Sequence, residues 1–118
     1  MELQRNKDKD YTANSERLAR FAKALGHPAR ITIMKFLIKQ NSCFFGDIHE
    51  ELPIAKATVS QHLKELKEAG LIQGEIEPPK VRYCVNKENW ALAKLLFVIF
   101  FANEDFANED TDKKTCDK

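Results

Sequence analysis

Along residues 55–71, AKATVSQHLKELKEAGL, apolar residues recur at Val59, Leu63 and Leu66. That is the i, i+4, i+7 spacing of a helix that buries one stripe. The opposite side carries Ala57, Thr58, Ser60, Gln61, Lys64 and Glu68, and no acid precedes Glu65. Gly70 stands where such a helix would end in a left-handed residue. Upstream, the same period predicts three more helices. The first, capped by Asn14 or Ser15, runs to about Leu25 with Leu18, Phe21, Ala22 and Leu25 inward. The second starts at Pro28, where a missing N–H costs nothing. It spans about 28–39 and buries Ile31, Met34, Phe36, Leu37 and Ile38. After a brief extended piece at 41–45 comes a helix of one to two turns, 47–52. Ile48 and Leu52 face inward, and Asp47 sits at its positive end. Only Pro53, Ile54 and Ala55 separate it from the 55–71 helix.

Beyond Gly70 the period changes from 3.6 to 2. Residues 71–76 place Ile72 and Ile76 on one face, 77–80 make a turn, and 81–85 place Val81, Tyr83 and Val85 inward with Arg82 and Cys84 outward. Asn86 can cap a last helix, about 87–102, which carries Trp90 and Leu92 and is apolar nearly all round from Leu95. Two helices joined by a three-residue turn and followed by a hairpin make a winged helix-turn-helix. The expected fold is mainly α with a small β-hairpin (α+β), about five helices plus the wing. The expected organisation is a disordered tail at 1–12, a DNA-binding and dimerisation domain at 13–102, and an acidic, disordered tail at 103–118. FANED occurs twice in succession, at 101–105 and 106–110, as a local duplication.

Composition adds bounds. At 118 residues the chain is one small domain. Its net charge of +1 is uninformative until divided: residues 103–118 carry −3 and the rest +4. Three widely spaced cysteines, Cys43, Cys84 and Cys116, without a CxxC pair argue against a disulfide framework and a zinc finger. Reduced thiols and a cytoplasmic location are the default expectation. The charged first ten residues do not read as a signal peptide. The longest apolar run, eight residues at 95–102, is too short to cross a membrane. No Ser-His-Asp order, Gly-rich phosphate loop or cluster of carboxylates supports an enzyme.

The 55–71 helix offers the chemistry that a DNA major groove takes. Gln61 can bond an adenine edge twice, Ser60 and Thr58 can bond bases or phosphates, and the Thr58 methyl can touch a thymine methyl. Lys56 and Lys64 supply charge toward phosphates, and Lys80 and Arg82 do so at the wing. A lysine there would also block edge pairing. An ordinary amphipathic surface helix is the competing reading, and a winged-helix module that binds protein, with no inducer site, is another. The last helix cannot be covered by so small a domain, so Leu95, Phe97, Val98, Phe100 and Phe101 call for a second subunit, most simply by two-fold symmetry. His62 flanks the reading helix and fits a phosphate contact, and Arg30 is within reach of one. His27, before a proline, reads as a loop residue. The three histidines, with His49, have no metal spacing.

The order of elements resembles the ArsR/SmtB family of bacterial winged-helix repressors. The likeness rests on ALGHPARITIMKFL at 24–37, GDIHEELPIAKATVSQHLKELKEAGLI at 46–72 and VRYCVN at 81–86. It implies homodimers, joined through the first and last helices (Leu18, Phe21 and Trp90 with the residues above), that repress transcription from a palindromic operator. It assigns base and phosphate contacts to Thr58, Ser60, Gln61, His62 and Lys64. Many members release DNA on binding metal, arsenite or a thiol oxidant. Here the last helix lacks the Asp and His ligands of zinc-responsive members. The Cys-x-Cys of arsenite-responsive members is reduced to Cys43, with Phe45 in the other place. In winged helices the extended piece after the second helix pairs with the outer wing strand, which sets Cys43 beside Cys84. There the two could hold arsenite or another soft metal, with Cys116 as a third ligand, or form a reversible disulfide. No cofactor is required. Small strand residues with a stray tail cysteine are the alternative.

Overall fold

The computed structural model describes residues 11–40, 43–77 and 80–102, with the backbone path alone at Ile76, Glu77, Lys80 and Val81. Among the described residues, five helices and three strands follow in order: α1 (Ala13–Ala24), α2 (Pro28–Lys39), β1 (Cys43–Phe44), α3 (Ile48–Glu51), α4 (Lys56–Glu68), β2 (Ile72–Glu77), β3 (Lys80–Val85) and α5 (Lys87–Phe101). This is the expected winged helix-turn-helix. Residues 1–10 and 103–118 of the expected tails, Cys116 and the turn residues Pro78 and Pro79 lie outside the described residues; Thr12, expected in the disordered tail, is ordered as the cap of α1.

Helix ends follow local chemistry. Thr12, rather than Asn14 or Ser15, caps α1 by accepting from the Ser15 amide, and Asn86 caps α5 by accepting from the Asn89 amide. α4 closes with the Leu71 amide on the Leu66 carbonyl and the Gly70 amide on the Lys67 carbonyl. That paired closure requires a left-handed residue, and Gly70 has φ +88°. β3 lies between β1 and β2, antiparallel to both, with Ile72 opposite Val85 and Glu77 opposite Lys80. Halfway along the wing the strands approach so closely that a Cβ at Gly74 would collide with the Arg82 carbonyl oxygen. Sequence patterning gave no sign of that constraint.

One core joins all layers: Phe21 and Ala24 from α1, Ile33, Met34 and Leu37 from α2, Ile48 from α3, Val59, Leu63 and Leu66 from α4, Ile72, Tyr83 and Val85 from the sheet, and Ala93 and Leu96 from α5. Each large aliphatic side chain fully buried there contributes about 1.5–3 kcal/mol. Two expected stripes are corrected. Ala24, not Ala22, completes the buried face of α1. In α2 it is Ile33, not Ile31 or Ile38, that is buried; the latter two are 38% and 43% exposed. The run ITIMKFLI is apolar on nearly every side, so its period does not fix which face turns inward.

Candidate nucleic-acid interface

Val59, Leu63 and Leu66 fasten α4 to the core, which turns Lys56, Ala57, Thr58, Ser60, Gln61 and Lys64 outward. All six are exposed. Among the described residues, Ser60, Gln61 and Lys64 bond to no other protein group, so their donors and acceptors stay available. Thr58 donates its hydroxyl to the Ala55 carbonyl, 3.0 Å away, leaving its methyl and lone pairs outward. Ala55 supplies no side-chain cap to α4. The Lys56 and Ala57 amides are therefore left to meet an anion, while the Thr58 amide donates to the Ala55 carbonyl.

The two flanks of α4 are tied to different neighbours. On one, Lys67 donates to the Gly74 carbonyl of the wing at 2.9 Å. On the other, Glu65 accepts from Arg20 of α1 at 2.8 Å. That bond, with the positive charge of Arg20, Lys23 and Arg30, holds the Glu65 carboxyl below the usual carboxylate range. Arg30, on α2, does not reach outward. Its Nε donates to the Ala24 carbonyl at 2.6 Å, and its Nη1 lies 3.1 Å from His62 Nδ1. Burial first, then the neighbouring His27 and Arg30, lower the His62 pKa. His27 is not a loop residue. It caps α2, its Nδ1 accepting from the Ala29 amide at 3.0 Å. The His-Pro spacing was the available signal, since a residue directly before a first-turn proline is at a cap position.

At the wing, Arg82 is exposed, whereas the Lys80 side chain lies outside the described residues. Cys43 and Cys84 are directly paired, as the likeness to winged helices implied, with Cα atoms 4.0 Å apart, and Cys84, expected to face outward, is buried. Their sulfurs are joined in a disulfide, against the default expectation of reduced thiols. β1 is thus held from both faces. Phe44, on the other face, sits edge-on to Phe36 with centroids 5.0 Å apart and stacks over Tyr83 at 6.4 Å. The disulfide borders an open concavity of about 810 Å³ that Arg82, Lys87 and Glu88 also line. One further group could take a metal: ligand atoms of Asp47, His49 and Glu50 lie within 4.8 Å of one another around α3, though both carboxylates are exposed.

The segment that builds this surface, residues 27–73, matches the family model described as "Bacterial regulatory protein, arsR family". The chain is 32% identical over 84 residues to a biofilm growth-associated repressor of Agrobacterium fabrum, covering 70% of this chain and 71% of that one. It is 31% identical over 90 residues to the transcriptional regulator CmtR of Mycobacterium tuberculosis, covering 75% of each. This protein belongs to the arsR family. It is a DNA-binding transcriptional regulator and not an enzyme, and α3 and α4 are its helix-turn-helix. A third relative, the regulator YgaV of Escherichia coli, is 26% identical and spans 64% of this chain and 77% of its own. In this arsR-family chain no helix among the described residues is long and apolar enough to cross a membrane.

Proposed function

We propose that this regulator is a homodimeric repressor that binds a palindromic operator through α4 of each subunit, with Thr58, Ser60, Gln61 and Lys64 in the groove. The observation that carries the dimer is the outer face of α5. Leu95, Val98, Ile99, Phe100 and Phe101 are 54–72% exposed in the single chain. Beside them a concavity of about 550 Å³ is walled by Leu25, Trp90, Phe97 and Phe101. Phe21 is only 2% exposed and Leu18 is half-buried, so α5 supplies most of the contact. A second copy presenting the same face covers this surface by two-fold symmetry. The reading as a repressor is supported by the likeness to the biofilm growth-associated repressor of Agrobacterium fabrum.

Release from the operator is assigned to the Cys43–Cys84 pair, acting in the cytoplasm. It has two chemical states. Oxidised, it is a disulfide that clasps the strand leading into α3 to the outer wing strand. Reduced, it is a pair of thiols able to take arsenite or another soft metal, with Cys116 available as a third. Either change alters how the wing is held relative to α4 without touching the groove face. Release requires that the ligand or oxidant favour the conformation that does not bind DNA.

The test uses a duplex selected from a random pool by the wild-type protein. Operator-bound protein is titrated with arsenite, copper(I) or diamide, and repeated with Cys43→Ser, Cys84→Ser and Cys116→Ser. Release that depends on Cys43 and Cys84 is expected. A double variant responding as the wild type does, or a wild type that no thiol reagent affects, removes the inducer site.

A further inference from the structure

His27, which is exposed, and His62, which is half-buried, each have one ring nitrogen committed. His27 Nδ1 accepts from the Ala29 amide. His62 Nδ1 lies 3.1 Å from Arg30 Nη1, and a guanidinium only donates. Both Nδ1 atoms therefore act as acceptors. In a neutral imidazole the proton then resides on Nε2, which becomes a donor. The rings are 4.5 Å apart, tilted by 50°. Both line a concavity of about 370 Å³ between the start of α2, the turn 53–55 and α4, which Thr32 and Thr58 also border.

The placement of this concavity is what gives it a ligand. Thr58 and His62 are four residues apart on α4, on the flank away from Lys67 and the wing. With Gln61 toward the base edges, a DNA duplex must run one phosphate strand past the wing and the other past this flank. Its charge suits an anion: no acid is among the described residues that line it, and Arg30, held by the Ala24 and Lys23 carbonyls, lies behind His62. We propose that His27 and His62, as neutral imidazoles, together grip one phosphate of the DNA backbone through their two Nε2–H groups. This rests on the DNA-binding reading of α4 and adds to it a contact from outside the helix-turn-helix. It also gives His27 two tasks, capping α2 and holding DNA.

The experiment separates the donors from the fold. His27→Asn and His62→Asn keep an acceptor where Nδ1 stands and delete the Nε2 donor, while His62→Gln keeps a donor near Nε2. Affinity is measured for the selected duplex and for a random-sequence duplex over a salt series. Each Asn variant is expected to lose about tenfold on both duplexes alike, as removal of a hydrogen bond to a charged group does. The salt slope stays unchanged because no cation is removed, and His62→Gln recovers most of the loss. Lys64→Ala, by contrast, lowers the slope by about one. A single uncharged methylphosphonate at the flanking phosphate weakens the wild type but not the His27→Asn/His62→Asn double variant. Unchanged affinity in both Asn variants, a loss confined to the selected duplex, a slope reduced by one, or full additivity with the methylphosphonate overturns the clamp. A wild type that binds no duplex overturns the DNA-binding reading instead.

Discussion

α4 and α5 are built alike on the inside and oppositely on the outside. Each anchors itself with a few fully or nearly buried side chains, Val59, Leu63 and Leu66 in one, Ala93 and Leu96 in the other. The exposed face of α4 carries Ser60, Gln61 and Lys64. That of α5 carries Leu95, Val98, Phe100 and Phe101. Water tolerates the first face and penalises the second, so the two cannot serve the same partner. A polar helix face with free donors matches a groove lined by base edges and phosphates. A contiguous aromatic and aliphatic face matches another apolar face. An amphipathic helix is therefore not a functional statement; the side left over after folding is.

The comparison breaks first at α5. Val98→Asp with Phe101→Asp places two charges on a face exposed in the single chain. The expected result is a folded monomer by sedimentation with operator binding lost. Two acids on the outer face of α4 should abolish DNA binding while leaving the dimer intact. Next in size is the shared inner anchoring. Leu63→Ala should cost about 2–5 kcal/mol of stability by denaturant titration, because the side chain is fully buried and leaves a cavity. Gln61→Ala touches only the outer face and should cost about 1–3 kcal/mol of discrimination at one base position, with unfolding unchanged. An equal loss on random duplex would mean that Gln61 contacts backbone.

The smallest effects are electrostatic. Burial lowers the His62 pKa from 6.5, so below about pH 6.5 the unfolded chain takes up a proton that the folded chain resists, and stability falls as the pH falls. Arg20 holds the Glu65 carboxyl below its ordinary 4.5. Its contribution is present above that value and is lost as the pH falls through the lower, folded one. Melting curves from pH 7 to 5 should flatten in His62→Asn. Arg20→Ala should destabilise the protein at neutral pH and lose that effect in more acidic solution, where Glu65 is protonated.

Much of this contrast is legible in the residue pattern. Val59, Leu63 and Leu66 fix the phase of α4 because polar residues separate them. The all-apolar run of α5 declares that something must cover it. The pairing of Cys43 with Cys84 was implied only by the likeness to winged helices; strand alternation puts the two on one face without fixing the register. Where the pattern is uniform it fails. In α2, apolar residues on every side leave the inward face undetermined, and Ile31 and Ile38 prove exposed. Side-chain bonds between elements are equally silent in sequence: Arg30 to Ala24 and His62, and Lys67 to Gly74, as is the close approach that demands Gly74. The role of His27 was within reach from the following proline, yet its nearness to His62 depends on how α2 meets α4.

The central claim is that two copies, joined through α5, present two α4 helices to one duplex. Sequencing the duplexes that the wild type selects from a random pool, with the stoichiometry of the complex read by sedimentation, tests it most directly. The account predicts an inverted repeat with half-site centres about one helical turn apart, or a multiple of it, and two chains per duplex. A selected site without two-fold symmetry, bound by one chain, would contradict it.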